Sequence, residues 1–222
     1  MEFFILACFI ALILFGIRFL IKAIKREKHR FSLRDQMSDL VMNDKSQIIC
    51  LDSETTGLNP KNDELLQLSI IDGNGNVLFN EYIKPLHRKS WRKAEEIHGI
   101  SPEIVKDKLS ITNYKAEINR IIEGSSLIVG YNHYKFDLMF LREAGIIPYS
   151  KLVVDVMENF SPIYGDRNPK YKDYTHKSLG VCSKYYKYPY YKAHDSLEDA
   201  KATLYCFYKM EKRKQIKIIH VA

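Results

Sequence analysis

The apolar residues of this chain form one long run at the N-terminus and several short runs further along. Residues 3–21 are nearly all apolar and carry a single charge, Arg18. This length is about what a helix needs to span a bilayer. We predict an uncleaved single-pass anchor over residues 1–21, because a signal peptide carries basic residues before its apolar core and here they follow it. The positive-inside rule then places the rest of the chain in the cytoplasm. A cleaved signal peptide and a buried core helix are the alternative interpretations of this run.

The stretch after the apolar run is polar, highly charged and free of Pro and Gly, and it predicts a helical juxtamembrane linker over residues 22–45. Its basic residues are close together in the sequence: Lys22, Lys25, Arg26, Lys28 and Arg30. We predict a globular domain over residues 46–213 and a C-terminal tail over residues 214–222.

Short apolar runs in the remaining sequence alternate with turn signals and with segments of helical periodicity. We predict strands over residues 47–52, 64–71, 76–84, 126–130 and 152–156, with a hairpin turn at Asp72-Gly73-Asn74-Gly75. We predict helices beginning at Ser101 and over residues 111–123, 136–144, 176–185 and 196–212, the last with Asp195 and Glu198 spaced as a capping box. Segment 164–191, rich in Tyr and Lys, is otherwise predicted as loop. A hairpin followed by alternating strands and helices predicts an α/β domain with a mixed sheet flanked by helices.

The composition narrows the choice of partners and of compartment. The chain has 34 Lys and Arg residues against 27 Asp and Glu, a formal net charge of +7. This excess suits an anionic partner such as a nucleic acid or a membrane surface. The cysteines show no metal-binding or disulfide spacing, so we interpret them as free thiols in a reducing compartment. They are Cys8, Cys50, Cys182 and Cys206.

Four carboxylates and one histidine lie at the ends of the predicted elements: Asp52, Glu54, Asp137, Asp199 and His194. Asp52 and Glu54 are two residues apart on a strand, so their side chains project from the same face. Converging carboxylates repel each other unless cations lie between them, and oxygen ligands suit Mg²⁺ or Mn²⁺. Two such ions promote attack on a phosphodiester, for which His194 would be the base. Each residue alone could be a cap or turn former, but the set predicts metal-dependent hydrolysis of nucleic acid.

Three segments together resemble the motifs of the DEDDh 3′–5′ exonucleases, the family of proofreading epsilon subunits, ribonuclease T and oligoribonuclease. These segments are Asp52-x-Glu54-Thr55-Thr56-Gly57-Leu58, Val129-Gly130 through Phe136-Asp137-Leu138-x-Phe140-Leu141, and His194-x-x-x-x-Asp199-Ala200. Ile97-His98-Gly99-Ile100 also matches a segment common in the epsilon-like branch. The similarity covers residues 47–212. It implies a ribonuclease H-like fold, a five-stranded mixed sheet flanked by helices.

The resemblance also implies a role for each motif residue. Asp52, Glu54, Asp137 and Asp199 would bind two Mg²⁺ or Mn²⁺ ions, and His194 would be the general base. Substrate contacts are expected from Thr55, Leu58, His98, Asn132 and His133. Of these, Leu58 would be a wedge beside the terminal base. Asn132-His133 stands where the family usually has the same pair in reverse order.

By this resemblance the chain would be a membrane-tethered 3′–5′ exonuclease that releases nucleoside 5′-monophosphates from single-stranded DNA or RNA. The alternative is a catalytically inactive, membrane-tethered nucleic-acid-binding or adaptor module of the same fold. Basic residues that could follow the phosphates are Lys84, Arg88, Lys89, Arg92 and Lys93, with Trp91 or Tyr131 for base stacking. The preferred sugar, the protein partners and the oligomeric state stay open.

Overall fold

The computed structural model describes residues 2–170, 173–189 and 193–221, and gives only the backbone of residues 2–11, 13, 30 and 219–221. The chain divides into two compact units, Met1–Gln36 and Met37–Ala222. The described residues of the first unit all belong to one helix, α1, which runs from Glu2 to Asn43. The helix predicted for the linker is therefore present as far as Asn43.

The predicted membrane anchor has no support in the structure. Among the described residues, no helix combines the length and the hydropathy that a membrane crossing needs. Met1 and the side chains of residues 2–11 and 13, which make up more than half of the predicted anchor, lie outside the described residues.

The second unit holds the sheet and the remaining helices. The strands are β1 Ile48–Thr55, β2 Leu65–Asp72, β3 Val77–Tyr82, β4 Leu127–Gly130, β5 Lys151–Asp155, β6 Arg167–Asn168, β7 Asp173–Tyr174 and β8 Ile219–Val221. The helices are α2 Arg92–His98, α3 Pro102–Val105, α4 Ile111–Glu123, α5 Asp137–Glu143, α6 Val156–Tyr164, α7 Leu179–Tyr185 and α8 Ser196–Lys212.

The main sheet is mixed, with the strand order β3-β2-β1-β4-β5-β8. β1 pairs antiparallel with β2 and parallel with β4, and β4 pairs parallel with β5. The five predicted strands and the flanking helices are thus confirmed. The C-terminal segment differs from its prediction as a tail, because Ile219–Val221 adds a short antiparallel strand to the edge at β5. Its pairing is made by backbone groups, which leave no apolar pattern in the sequence.

The sheet is covered by helices on both faces, and alternate residues of β1 face the two layers. Ile49 and Leu51 belong to an apolar cluster with residues of α4 and α5, such as Ile118 and Leu138. Cys50, between them, points to the other face, where its Sγ lies 3.3 Å from the carbonyl oxygen of Ala200 in α8. The side chains of Asp52 and Glu54 therefore project toward the α8 layer, and the side chain of Ser53 projects toward α5.

Two helices were not predicted, α2 and α6. The run Leu152–Val156 was interpreted as continuous strand, but the chain turns at Asp155 and α6 begins at the next residue. Asp155 caps α6, since its side chain accepts hydrogen bonds from the N–H groups of Met157 and Glu158. The helix predicted over residues 176–185 begins later, at Leu179, where the Ser178 side chain caps it.

Candidate active site

Asp52 and Glu54 lie on the same face at the carboxyl end of β1. The strand continues beyond its predicted end at residue 52 and reaches Thr55, so both carboxylates are held by ladder pairing. Asp52 is opposite Ser69 of β2, and Glu54 is opposite Gln67. The ladder shifts register between Glu54 and Thr55, where the chain leaves the sheet. Open α/β sheets commonly bind ligands in crevices outside the carboxyl ends of strands.

His194 and Asp199 are placed by the start of α8. Asp195 caps this helix, because its side chain accepts hydrogen bonds from the N–H groups of Leu197 and Glu198, as the sequence predicted. The predicted return bond from Glu198 is replaced by an ion pair with Lys201. Asp199 is buried on the first turn, and the backbone N–H of His194 donates to its Oδ2 at 3.4 Å. His194 itself has a left-handed backbone with a φ of 66°.

Three predicted site residues come together within metal-binding range. One side-chain ligand atom from each of Glu54, His194 and Asp199 lies within 4.8 Å of the other two. The carboxylates belong to β1 and α8, which are more than 140 residues apart in the sequence, and β1 packs directly beneath α8. The structure thus brings together the first and third motifs.

Asp137 approaches from the opposite side of the sheet. It is the first residue of α5 and is almost completely buried. Ser53, which faces the α5 layer between the two β1 acids, donates a hydrogen bond of 2.5 Å to Asp137 Oδ1. The site therefore surrounds the end of β1, with Asp137 on one side and Asp199 on the other.

The four acids are electrostatically unfavourable without a cation. Burial, together with repulsion from Asp137, Asp199 and Glu54, raises the pKa of Asp52 well above its usual range. Burial and repulsion from Asp199 raise the pKa of Glu54 to about 8. Burial also raises the pKa of Asp137 to about 6, although the hydrogen bond from Ser53 opposes the change. Such a set fits divalent cations, because carboxylate oxygens are the preferred ligands of Mg²⁺ and Mn²⁺.

One of the predicted substrate residues, His98, borders an open cavity. A cavity of about 420 Å³ is lined by His98 and His194 among other residues. The imidazole of His98 accepts a hydrogen bond from the Ile100 N–H at Nδ1, so its Nε2 donates to the carbonyl oxygen of Thr55 at 3.2 Å. Burial lowers the pKa of His98, which favours this neutral form. The ring thus holds the backbone just after the acids.

Thr55 and Leu58 differ in exposure. The hydroxyl of Thr55 donates to the carbonyl oxygen of Gly57 and shapes the turn after β1. Leu58 is 84% exposed although it is a large apolar residue. The side chain of Leu58 is thus accessible from solvent, and its role as a wedge stays a prediction.

Asn132 and His133 occupy the turn between β4 and α5. His133 is completely buried, and its Nδ1 lies 3.6 Å from Asp155 Oδ2. The side chain of His133 therefore has no surface for contact with a substrate, and the structure corrects that expectation to a positioning role. Asn132 is half-buried with a φ of 60°, and its N–H donates to Asp155.

One of the candidates for strand binding, Trp91, is placed differently from its prediction. Trp91 is buried, and its indole N–H donates to the carbonyl oxygen of Ile100, so it is unavailable for base stacking. Arg88 forms an ion pair with Asp63. Tyr131 directly follows β4, and its hydroxyl donates to the carbonyl oxygen of Lys177.

The sequence interpretation missed several residues that support the site. Ser53 orients Asp137, and Asp155 holds the turn that leads to it. Ser196, at the start of α8, shares a hydrogen bond of 2.6 Å with Ser69 of β2. The position of Ser53 between two acids was a usable signal, because alternation places it on the opposite face. The serine pair left no signal, since its members are 127 residues apart.

Comparisons with known proteins agree with this geometry. Residues 49–207 match the family described as Exonuclease, of the ribonuclease T type. RNA exonuclease 4 of Debaryomyces hansenii is 25% identical over 189 residues, which cover 83% of this chain and 64% of that protein. A PolC-type DNA polymerase III of Thermotoga maritima is 36% identical over 113 residues, 50% of this chain and 8% of that polymerase. This chain therefore spans less than two thirds of the length of either relative.

Solved structures show the same fold. Escherichia coli exonuclease I in complex with a dA16 oligonucleotide matches with a TM-score of 0.62 and 22% identity, over 75% of this chain and 41% of that chain. The family match covers well over half of the present sequence and includes all five residues of the acidic site. The chain belongs to the DEDDh 3′–5′ exonuclease family.

Proposed function

We propose that this protein is a metal-dependent 3′–5′ exonuclease that releases nucleoside 5′-monophosphates from single-stranded nucleic acid. The observation that carries the proposal is the convergence of Glu54, His194 and Asp199 within 4.8 Å of one another. Asp52 and Asp137 lie close enough to this group to share its electrostatic repulsion. A site that contains only a structural cap or turn former would have no need for several buried carboxylates.

The roles of the side chains follow from their positions. Asp52, Glu54 and Asp199 would hold one divalent ion, and Asp52, with Asp137 nearby, would hold a second. Bound ions of this type lower the pKa of water and stabilise negative charge on a leaving oxygen. His194 is exposed at the mouth of the site and takes the proton of the attacking water. Leu58 and Thr55 border the position of the terminal nucleotide.

The related proteins include enzymes named for RNA and enzymes named for DNA, so they do not decide between ribose and deoxyribose in the substrate. One is named as an RNA exonuclease and another as a DNA polymerase, while the solved structure holds a DNA oligonucleotide. The metal-site chemistry is common to both nucleic acids, and recognition of the 2′-hydroxyl depends on local pocket shape. The proposal therefore covers single-stranded ends of both kinds.

Hydrolysis of 5′-labelled single-stranded DNA and RNA by the full chain tests the proposal. With Mn²⁺ we expect a ladder of shortened 5′-labelled products, and with EDTA we expect none. Asp52→Ala and His194→Ala should each lower the rate by at least about 100-fold, since general-base catalysis alone contributes about 10²–10⁴-fold. The matched control is Asp107→Asn, an exposed acid on the loop after α3, which should keep the full rate.

The same assay separates the exonuclease from an inactive binding module. An inactive module would bind the labelled strands without shortening them, and its binding would be indifferent to Mn²⁺. Near-normal hydrolysis by Asp52→Ala or His194→Ala would contradict the proposed site. The presence of all five residues supports the catalytic alternative.

We also propose that residues 3–21 attach the enzyme to a membrane, on the strength of their apolar sequence alone. The test is alkaline carbonate extraction of membranes from cells that express the full chain. An anchored protein stays in the pellet, and a variant without residues 1–21 moves to the supernatant. Release of the full chain by carbonate would reject the anchor and leave the exonuclease proposal intact.

A further inference from the structure

The segment between α6 and α8 has an unusual composition. Residues 164–192 contain 8 of the 15 tyrosines of the chain. The same 29 residues carry six Lys and one Arg against two Asp, a net charge of +5 out of +7 for the whole chain. Neither the proposed chemistry nor the metal site uses these residues. Aromatic rings interleaved with cations are typical of surfaces that bind single-stranded nucleic acid.

Two of the tyrosines are held in place with part of their surface exposed. Tyr164 ends α6 and Tyr185 ends α7, and they are 44% and 43% exposed. Both rings pack on Phe160, which is completely buried, with ring centroids 5.6 Å and 5.3 Å away. The two tyrosine rings are 6.3 Å apart. A ring that is fixed by a buried neighbour loses little entropy when a base stacks on its free surface.

A cation accompanies this aromatic pair. The ammonium group of Lys177 lies 5.0 Å from the centroid of the Tyr164 ring and also pairs with Asp166. On the neighbouring β6–β7 hairpin, the Arg167 guanidinium lies 5.4 Å from the ring of Tyr174. We call Tyr164, Tyr185 and Lys177 the tyrosine surface. The ammonium group of Lys177, whose charge is shared with Asp166, can contact a phosphate, and the two rings can stack on bases.

The tyrosine surface is connected to the active site through Tyr131. The hydroxyl of Tyr131 donates to the carbonyl oxygen of Lys177 at 2.7 Å. β4 runs parallel to β1 with Val129 opposite Cys50, so Tyr131 and Asp52 both lie two residues further toward the carboxyl ends. The hydrogen bond therefore joins Tyr131, which is level with Asp52 in the sheet, to Lys177 of the tyrosine surface.

We propose that the tyrosine surface binds the single strand a few nucleotides before its 3′ end, while the terminal nucleotide occupies the acidic site. The proposal rests on the exonuclease function and extends it with a second binding region. It favours nucleic acid over a lipid surface because the two rings are braced side by side and Lys177 is hydrogen-bonded to Tyr131, which follows the strand beside β1. The strand contributes base stacking on Tyr164 and Tyr185 and phosphate contact with Lys177.

The test compares substrates that differ only in length. The double variant Tyr164→Leu/Tyr185→Leu keeps apolar packing on Phe160 and removes the aromatic faces. Tyr164→Phe/Tyr185→Phe keeps the rings. The matched control is Tyr149→Leu, a 65% exposed tyrosine just before β5, at the opposite end of the parallel strands. All are full chains, and their melting temperatures are compared first.

For oligo(dT) and oligo(U) of about 20 nucleotides, we expect the leucine double variant to raise KM by about tenfold, a modest figure for two stacked bases. We expect kcat to stay unchanged, and hydrolysis of a trinucleotide to be unaffected because it does not reach the surface. The phenylalanine and Tyr149→Leu variants should match the wild type. An unchanged KM on the long strand, or an equal loss on the trinucleotide, would overturn the proposal.

Binding without catalysis separates this proposal from the exonuclease function. Fluorescence anisotropy with a labelled 20-nucleotide strand in EDTA should show about tenfold weaker binding by the leucine double variant. This result would support the tyrosine surface even if the wild type fails to hydrolyse any strand. Equal binding by wild type and double variant, or a preference for anionic phosphatidylserine vesicles that the double variant loses, would reject it.

Discussion

Individual acids in this site are tuned by burial and by each other. Glu54 is mostly buried and faces Asp199, and its pKa is raised to about 8. At neutral pH the metal-free protein must therefore keep a proton on this carboxyl group or accept the repulsion. A divalent ion removes that conflict, because it stabilises the ionised form that serves as a ligand. The raised pKa is thus a property of the metal-free state.

The stability of the metal-free protein should depend on pH through Glu54. Its pKa rises from 4.5 in the unfolded chain to about 8 in the folded one, so the folded state holds a proton that the unfolded state has released. The stabilisation is complete below about pH 4.5, and it is lost as the pH rises toward 8. The free energy of unfolding falls by up to about 1.4 kcal/mol per pH unit in this range.

Urea unfolding in EDTA between pH 5 and pH 8 measures this dependence. Glu54→Gln should make the dependence on pH less steep without abolishing it, because the amide does not titrate while the pKa values of Asp52 and Asp137 stay raised. The variant should also be more stable than the wild type at pH 8. The control is Glu81→Gln, an exposed glutamate in β3, which should keep the wild-type slope. If the free energy of unfolding depends on pH with the same slope in the wild type and in Glu54→Gln, the titration of Glu54 is not the cause of the dependence.

Among the elements, α8 shows most clearly how a helix is positioned for chemistry. Its N-terminus is fixed to β2 through the hydroxyl pair of Ser196 and Ser69, and the N–H of Ser196 approaches Gln67 Oε1 at 3.5 Å. Gln67 and Ser69 are the strand partners of Glu54 and Asp52. The same two β2 residues therefore align both the β1 acids and the helix that carries Asp199.

The sequence predicted elements with strong local signals and missed those that depend on tertiary contacts. The apolar strands and the capped helix α8 were found because pattern and capping chemistry are local. α6 was missed because Val153–Val156 is β-branched around Asp155, and Pro162 lies inside the helix. Packing overrides both local preferences. β8 was missed because it forms only by backbone pairing with the edge strand β5, and such pairing leaves no local pattern in the sequence.

At the scale of the whole molecule, the cluster of candidate metal-binding residues was predictable and its supports were not. The order of the acids and His194 in three motifs identified the site from sequence. The contacts that hold it join distant residues: Ser53 and Asp137 are 84 positions apart, and Ser69 and Ser196 are 127 apart. No periodicity encodes such pairs. His133 was misassigned for the same reason, since it is buried beside Asp155, a residue that ends a different strand.

Because its ligands come from β1, α5 and α8, a bound metal should stabilise the domain as a unit. A ligand that binds only the folded state at about 100 times its Kd adds about 2.7 kcal/mol to the free energy of unfolding. For a domain of this size that corresponds to an increase in Tm of about 5–10 °C. Differential scanning calorimetry of the full chain in EDTA and in excess Mn²⁺ measures the shift.

Asp52→Asn should remove most of this increase, because Asp52 is repelled by all three of the other acids and is therefore central to the cluster. It should also raise the Tm in EDTA, since a neutral amide ends the repulsion at the centre of the cluster. Asp107→Asn, at an exposed position on the loop after α3, should behave as wild type in both conditions. An equal Mn²⁺ shift in wild type and Asp52→Asn would place the stabilising ion elsewhere. If the wild type and Asp107→Asn show the Mn²⁺-induced increase in Tm and Asp52→Asn does not, metal binding and the stability of the fold depend on the same carboxylates.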